Sequence, residues 1–99
     1  MTPDFHPLAR QELTDAAQFY EARAIGLGGD FLDQMEELVS LLGQFPGLGR
    51  PNAFGLRTSP ARRFPYSVVY QIVGDRLFIL AVAHHRRAPQ YWAGRAGSP

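Results

Sequence analysis

The chain has no cysteine and no lysine. Without cysteine there are no disulfides, no thiolate metal sites, no iron–sulfur clusters and no cysteine nucleophile. The absence agrees with a reducing compartment, and the cytoplasm is the expected location. Long hydrophobic runs are also missing: no stretch approaches the roughly 20 apolar residues of a membrane helix, and no leader-like pattern opens the chain. A membrane role is therefore not expected. The glycine-rich stretches lack the Gly-Lys-Ser/Thr ending of a phosphate loop. His6 stands far along the chain from His84 and His85, a poor spacing for a metal centre, so neither metal nor cofactor is expected. What remains is enough for one domain. The 99 residues are 45% hydrophobic, and a chain of this length buries roughly 60–68% of its unfolded surface. The expected division is a single domain over 1–99, with 93–99 as a flexible tail.

The net charge of +1 conceals two opposed halves. Residues 1–49 carry eight acids (Asp4, Glu12, Asp15, Glu21, Asp30, Asp33, Glu36, Glu37) against Arg10 and Arg23, a balance of −6. Residues 50–99 carry eight arginines against Asp75, a balance of +7. The plainer reading of arginine in place of lysine is a GC-rich codon bias. The guanidinium is nonetheless the better group for bidentate contact with phosphate or carboxylate, so the basic half calls for an anionic partner.

Helical periodicity comes first. Pro7 suits the first helical position, and Ala9, Leu13, Ala16, Ala17, Tyr20 and Ala24 form one apolar stripe. Gly26-Leu27-Gly28-Gly29 breaks that helix, and Asp30 brings negative charge to the start of the next. Phe31, Met35, Leu38, Leu42 and Phe45 line the second helix, with Leu32 and Val39 widening its stripe. The short link predicts an antiparallel helical hairpin. Residues 46–55 are rich enough in Gly and Pro to predict a loop. The period then changes to two: a short edge strand over 56–59, a strand over 64–73, a two-residue turn at Gly74-Asp75 and a strand over 77–83. Residues 2–5 offer one further, weaker strand. The expected class is α+β, with a helical hairpin packed on one face of an antiparallel sheet.

An ideal two-residue turn places Val73 opposite Arg76, so facing residue numbers sum to 149. One face then carries Phe64, Tyr66, Val68, Tyr70, Ile72, Leu77, Ile79, Ala81, Ala83 and His85, and takes the helices. The other carries Arg63, Ser67, Val69, Gln71, Arg76, Phe78, Leu80, Val82, His84 and Arg86. In that register Arg63 opposes Arg86 beside His84, a repulsive pair that needs an anion, a carboxylate or open water. A slip of one residue exchanges the faces, and Pro65 is a place where a bulge could enter.

The strings Phe5-His6-Pro7-Leu8-Ala9, Arg63-Phe64-Pro65-Tyr66-Ser67-Val68-Val69-Tyr70 and Ala81-Val82-Ala83-His84-His85-Arg86-Arg87 resemble the RelE/ParE family. These are toxins of bacterial type II toxin–antitoxin, or plasmid-stabilisation, systems. The likeness extends from Phe5 to about Trp92 and implies a β-α-α-β-β-β fold. It also implies a cognate antitoxin, ParD-like or similar, whose acidic segment would suit the basic half. Operator DNA would be bound only through that antitoxin. RelE-like members cut mRNA on the ribosome, and ParE-like members poison DNA gyrase. The Arg-Phe-Pro-Tyr strand and the His-x-Arg-Arg ending look closer to the ParE-like branch.

Three functions stay open on the sequence: a gyrase-directed toxin acting by protein contact, a ribosome-dependent endoribonuclease, and an inactive member that only binds its antitoxin. A metal-independent nuclease needs a base, an acid and cations for the developing phosphorane charge. Arg63, His84, Arg86 and Tyr91 are the candidates for those roles, but no carboxylate base is evident. For contact with target or antitoxin the candidates are Arg57, Arg62, Arg63, Arg87, Tyr91 and Trp92. Each has a plainer reading. The arginines could be solvated strand ends, Tyr91 and Trp92 a cap on the core, and His85 a buried, hydrogen-bonded histidine. Tyr66 and Tyr70 are expected to pack under the helices.

Overall fold

The structure, a computed structural model, describes residues 1–96. Strand β1 (Thr2–Phe5) leads into helices α1 (Pro7–Arg23) and α2 (Leu27–Gln44). Four strands follow: β2 (Arg50–Pro51), β3 (Arg57–Pro60), β4 (Tyr66–Val73) and β5 (Arg76–His84), and a 3-10 turn spans Ala93–Arg95. The sheet order is β1-β5-β4-β3-β2. β1 runs parallel to β5, while the other neighbours are antiparallel; the helical hairpin carries the chain from β1 to β2 at the opposite edge. The fold is the α+β arrangement expected, with a parallel edge strand and a two-residue strand, β2, inside the segment expected to be loop.

The helix ends are set by local chemistry. The His6 ring accepts a hydrogen bond from the Leu8 amide at 3.1 Å, and Pro7 occupies the first turn, where its missing N–H costs nothing. Between the helices Gly26 takes φ +86°, and the Glu21 carboxylate reaches across to accept from the Gly26 and Gly28 amides at 2.9 and 3.0 Å. Glu21 therefore satisfies donors at the start of α2, ahead of the expected Asp30. Gly28 is where the helices touch: a Cβ there would lie 2.5 Å from the Ala17 carbonyl oxygen.

The helices cover one face of the sheet. Phe31, Met35, Val39 and Leu42 of α2 and the small residues Ala9, Ala16 and Ala17 of α1 pack on Phe64, Val68, Tyr70, Leu77, Ile79 and Val82. Phe45 falls beyond α2 and is exposed, as is Leu32. Tyr70 does lie in this core, with its hydroxyl donating to the Pro46 carbonyl (2.7 Å) and accepting from the Gly49 amide (2.8 Å), which pins the loop after α2. The opposite face has its own smaller core of Leu56, Val69, Leu80, Ala81, Ala83 and Trp92.

The expected hairpin register holds only near the turn. Val73↔Arg76, Ile72↔Leu77, Gln71↔Phe78 and Tyr70↔Ile79 sum to 149, but Val69↔Ala81, Val68↔Val82, Ser67↔Ala83 and Tyr66↔His84 sum to 150. Leu80 is the extra residue of a β-bulge. Leu80 and Ala81 consequently share the outer face, and every later residue of β5 is turned over: Val82 lies with the helices and Ala83 away from them. The outermost strands both contain proline, Pro3 in β1 and Pro51 in β2.

Candidate functional site

The bulge overturns the expected constellation. The ladder ends at Tyr66↔His84, followed by a hydrogen bond from the His85 amide to the Pro65 carbonyl (2.9 Å), so Arg63 and Arg86 are not ladder partners. His84 has moved to the helix side, where its ring meets Tyr66 edge-on at 4.9 Å and its Nδ1 accepts from the Arg86 amide at 3.0 Å. Tyr66 in turn packs on Phe31 and Tyr20. Its phenol is pushed above the ordinary tyrosine range by burial first, then by Tyr20 and Glu12. His85, expected under the helices, is instead exposed on the outer face, with Nε2 2.9 Å from Ser67 Oγ. The histidines have exchanged places because one inserted residue inverts a strand of period two. Arg63 turns toward α2, 3.4 Å from Asp30, and its guanidinium lies 5.4 Å from the Phe64 ring centre.

A second cluster forms where β1 stops short along β5. Backbone pairing with β1 ends at the bond from the His6 amide to the Ile79 carbonyl, leaving the edge of β5 beyond it without a strand neighbour. Side chains fill the gap. Glu12 of α1 accepts from the Val82 amide (3.0 Å), from the Tyr91 hydroxyl (2.8 Å) and from both terminal nitrogens of Arg95 (3.0 and 3.1 Å). Arg95 also donates to the Leu80 carbonyl at 2.9 Å. The Glu12 and Arg95 side chains are only 15% and 12% exposed, so this pair lies out of reach of most solvent screening. Arg87 completes the group, 4.0 Å from Glu12 and stacked on the Tyr91 ring at 3.9 Å. Tyr91 is pushed far above the ordinary tyrosine range by burial, then by its hydrogen bond to Glu12 and that carboxylate's charge, against the opposing pull of Arg87 and Arg95.

This knot involves the start of the segment expected to be a flexible tail, from residue 93. Ala93–Arg95 forms an ordered turn because Arg95 is fixed at two points; the rest of that expectation, at residues 97–99, lies outside the described residues. Neither Glu12 nor Arg95 was singled out from the sequence. Glu12 did carry a signal: it lies three residues after Ala9 and four before Ala16, which places an acid on the apolar stripe. Arg95 had none, since its partner is 83 positions away.

The other candidates are dispersed. Arg57 donates to the Gly47 and Gly49 carbonyls (3.1 and 2.7 Å), so its charge braces the loop after α2. Arg62 and Arg86 are exposed, and among the described residues neither enters an ion pair. Trp92 is buried in the outer core, edge-on to Phe54 at 5.8 Å. His84, His85, Arg87, Tyr91 and Trp92 do converge, with Ser67 and Phe54, on a cleft of about 310 Å³ on the outer face. A larger groove of about 890 Å³ lies at the opposite side, between Phe5 of β1, Leu13 of α1 and Met35 of α2. Among the described residues no cluster of three or more His, Asp or Glu could hold a metal ion, and no helix is long and apolar enough to cross a membrane.

A two-helix layer on a five-stranded mixed sheet, with an arginine-rich end, is the architecture of a small toxin of the RelE/ParE type. Residues 4–89 match the family described as the ParE toxin of the type II toxin–antitoxin system parDE. The chain is similar to a chain of the chromosomal ParDE TA system from P. aeruginosa, at 25% identity and a TM-score of 0.74, covering 85% of this chain and 95% of that one. No curated protein matches. The chain belongs to the ParE toxin family: it is the toxin component of a type II toxin–antitoxin module, and a cognate antitoxin is its partner.

Proposed function

We propose that this toxin acts on DNA gyrase by protein–protein contact and cuts no RNA. The bulge at Leu80 carries the reading. It turns the ring of His84 toward Tyr66 and leaves Arg63 on Asp30, apart from Tyr91 on Glu12. An acid–base mechanism needs its groups around one reacting phosphate; His84 and Tyr91 line one cleft, but Arg63 lies outside it and each of the three has a structural partner. Among the described residues Glu12 is the one carboxylate within hydrogen-bond reach of Tyr91, but its oxygens already accept four hydrogen bonds, from Val82, Tyr91 and twice from Arg95. That carboxylate's oxygens are already occupied, and a phenol whose proton is held this firmly is a weak acid. Membership of the ParE family and the arginine-rich surface support contact with a large partner in place of chemistry.

The test is induction of the chain alone in a bacterial host, following DNA and protein synthesis over the first minutes. The expected result is an early fall in DNA synthesis with cleaved DNA trapped on gyrase, and growth arrest that survives both His84→Gln and Arg86→Ala. An early fall in protein synthesis with mRNA cut on ribosomes overturns the proposal. Absence of any arrest overturns it in favour of a chain that only binds its antitoxin.

A further inference from the structure

We infer that two copies of this chain pair through the exposed face of α2 and the turn after it, each placing Phe45 in a groove beside Leu41 of the other. The inference goes beyond the proposed action on gyrase and does not depend on it. Leu41, Phe45 and Leu48 are large and apolar, yet 42%, 58% and 54% exposed. Backbone bonds keep them together: the Phe45 amide donates to the Leu41 carbonyl at 2.8 Å, and the Leu48 amide to the Phe45 carbonyl at 3.0 Å. Beside them a groove of about 350 Å³ lies between α2 and the end of β3. Leu38, Leu41, Leu48 and Pro60 line it, together with the exposed Glu37 and Arg62. Its volume, at the low end of the range for pockets, suits one aromatic side chain.

The patch is fixed before any partner arrives. Tyr70 Oη donates to the Pro46 carbonyl (2.7 Å) and accepts from the Gly49 amide (2.8 Å). Arg57 donates to the Gly47 and Gly49 carbonyls at 3.1 and 2.7 Å. Gly49 is seated so closely that a Cβ there would lie 2.6 Å from Tyr70 Oη. The loop that carries Leu48 and follows Phe45 is therefore pinned from within, and little chain entropy is lost when the patch is covered.

Charge selects the occupant. Asp33, Glu37 and Leu41 stand four residues apart, so the two acids continue the line of the patch toward the start of α2, with Glu36 beside them. Arg50 follows on the other side, two residues after Leu48. All four charged residues are exposed, and among the described residues none enters an ion pair. An acidic peptide or a nucleic acid would meet three like charges here. A second copy related by a twofold axis presents the same charges in reverse order. With Leu41 against Phe45 of the second copy, Glu37 faces the stretch that leads to that copy's Arg50, and symmetry forms the pair twice. Pairing through the sheet edges is disfavoured by Pro3 and Pro51. Pairing on the helical side also leaves the outer-face cleft open on both copies.

The test is sedimentation equilibrium of the full chain, freed of antitoxin, over a concentration series reaching the millimolar range. The expected result is a weight-average mass that rises toward twice that of one chain. Phe45→Asp should weaken pairing at least about tenfold, with an unchanged circular dichroism spectrum because the side chain is mostly in solvent. Glu37→Arg and Arg50→Glu should each weaken it several-fold. An equimolar mixture of those two variants should pair at least as tightly as the unaltered chain, because every like-charged contact is then an opposite one. Arg23→Ala on α1 should change little. A mass that stays at one chain, pairing indifferent to Phe45→Asp, or a mixture no tighter than its components overturns the inference. A chain that stays single while Phe45→Asp abolishes its binding to purified gyrase overturns it in favour of a surface for that target.

Discussion

The two faces of the sheet are closed by different physics. The inner face is sealed by two whole helices through apolar packing, with a ring cluster of Tyr20, Phe31, Phe64 and Tyr66 at its centre. The outer face is sealed by about ten residues after β5, held by Trp92 and by one carboxylate, Glu12, that gathers Val82, Tyr91 and Arg95. Apolar closure is spread over many contacts and degrades gradually. Closure through a single charged centre is concentrated, so losing that centre leaves Arg95 partly buried with only the Leu80 carbonyl and leaves the Val82 amide unpaired. The difference places the robust part of the molecule under the helices and the adjustable part at the arginine-rich end.

The comparison can be broken at its strong side first. Phe31→Ala should remove the centre of the ring cluster and cost about 3–5 kcal/mol in chemical denaturation; a loss below about 1 kcal/mol would mean that the inner closure does not depend on that packing. Glu12→Ala should cost about 2–3 kcal/mol, less than for a fully buried pair because both partners keep some exposure. Hydrogen exchange should quicken at Val82 and Trp92 fluorescence should shift red, with α2 still protected. If protection falls equally in α2, the two closures are one cooperative unit. Tyr91→Phe should cost about 1 kcal/mol, the value of one hydrogen bond.

The same substitution sharpens the comparison through pH. The folded state holds the Tyr91 proton more tightly than the unfolded chain, whose tyrosines ionise near pH ~10. This contribution is complete below that value and is lost as pH rises through the higher folded value. Tyr91→Phe should therefore flatten the alkaline decline in stability, and an unchanged slope would place its origin elsewhere. The smallest effect belongs to neither face. Asp4→Asn breaks the exposed pair with Arg76, whose Nε donates at 2.8 Å, and should cost under about 1 kcal/mol in the same denaturation assay.

Much of the inner face was legible. The stripes on both helices, the breaker between them and the Gly-Asp turn are local signals, and Gly74 at φ +61° fits the tight turn. The register four pairs deep from that turn followed from counting alone. Counting then failed at Leu80 because 79–83 is an unbroken apolar run, Ile-Leu-Ala-Val-Ala. Alternation reveals which face a residue occupies only when polar residues interrupt it, and here either register buries apolar side chains. The histidines were consequently assigned to the wrong faces. The outer closure was illegible for another reason: Glu12 and Arg95 meet across nearly the whole chain, and no short-range pattern records such a pair.

The prolines on the outer strands bear on what happens when free toxin accumulates. An open sheet rim is a template on which further chains can add, strand upon strand, toward insoluble material. Pro3 and Pro51 each remove a donor that such growth would use, and β2 is only two residues long. The remaining open stretch, along β5, is occupied by Glu12 and Arg95. Chains without a partner therefore meet blunted rims, which offer little template for strand-upon-strand addition.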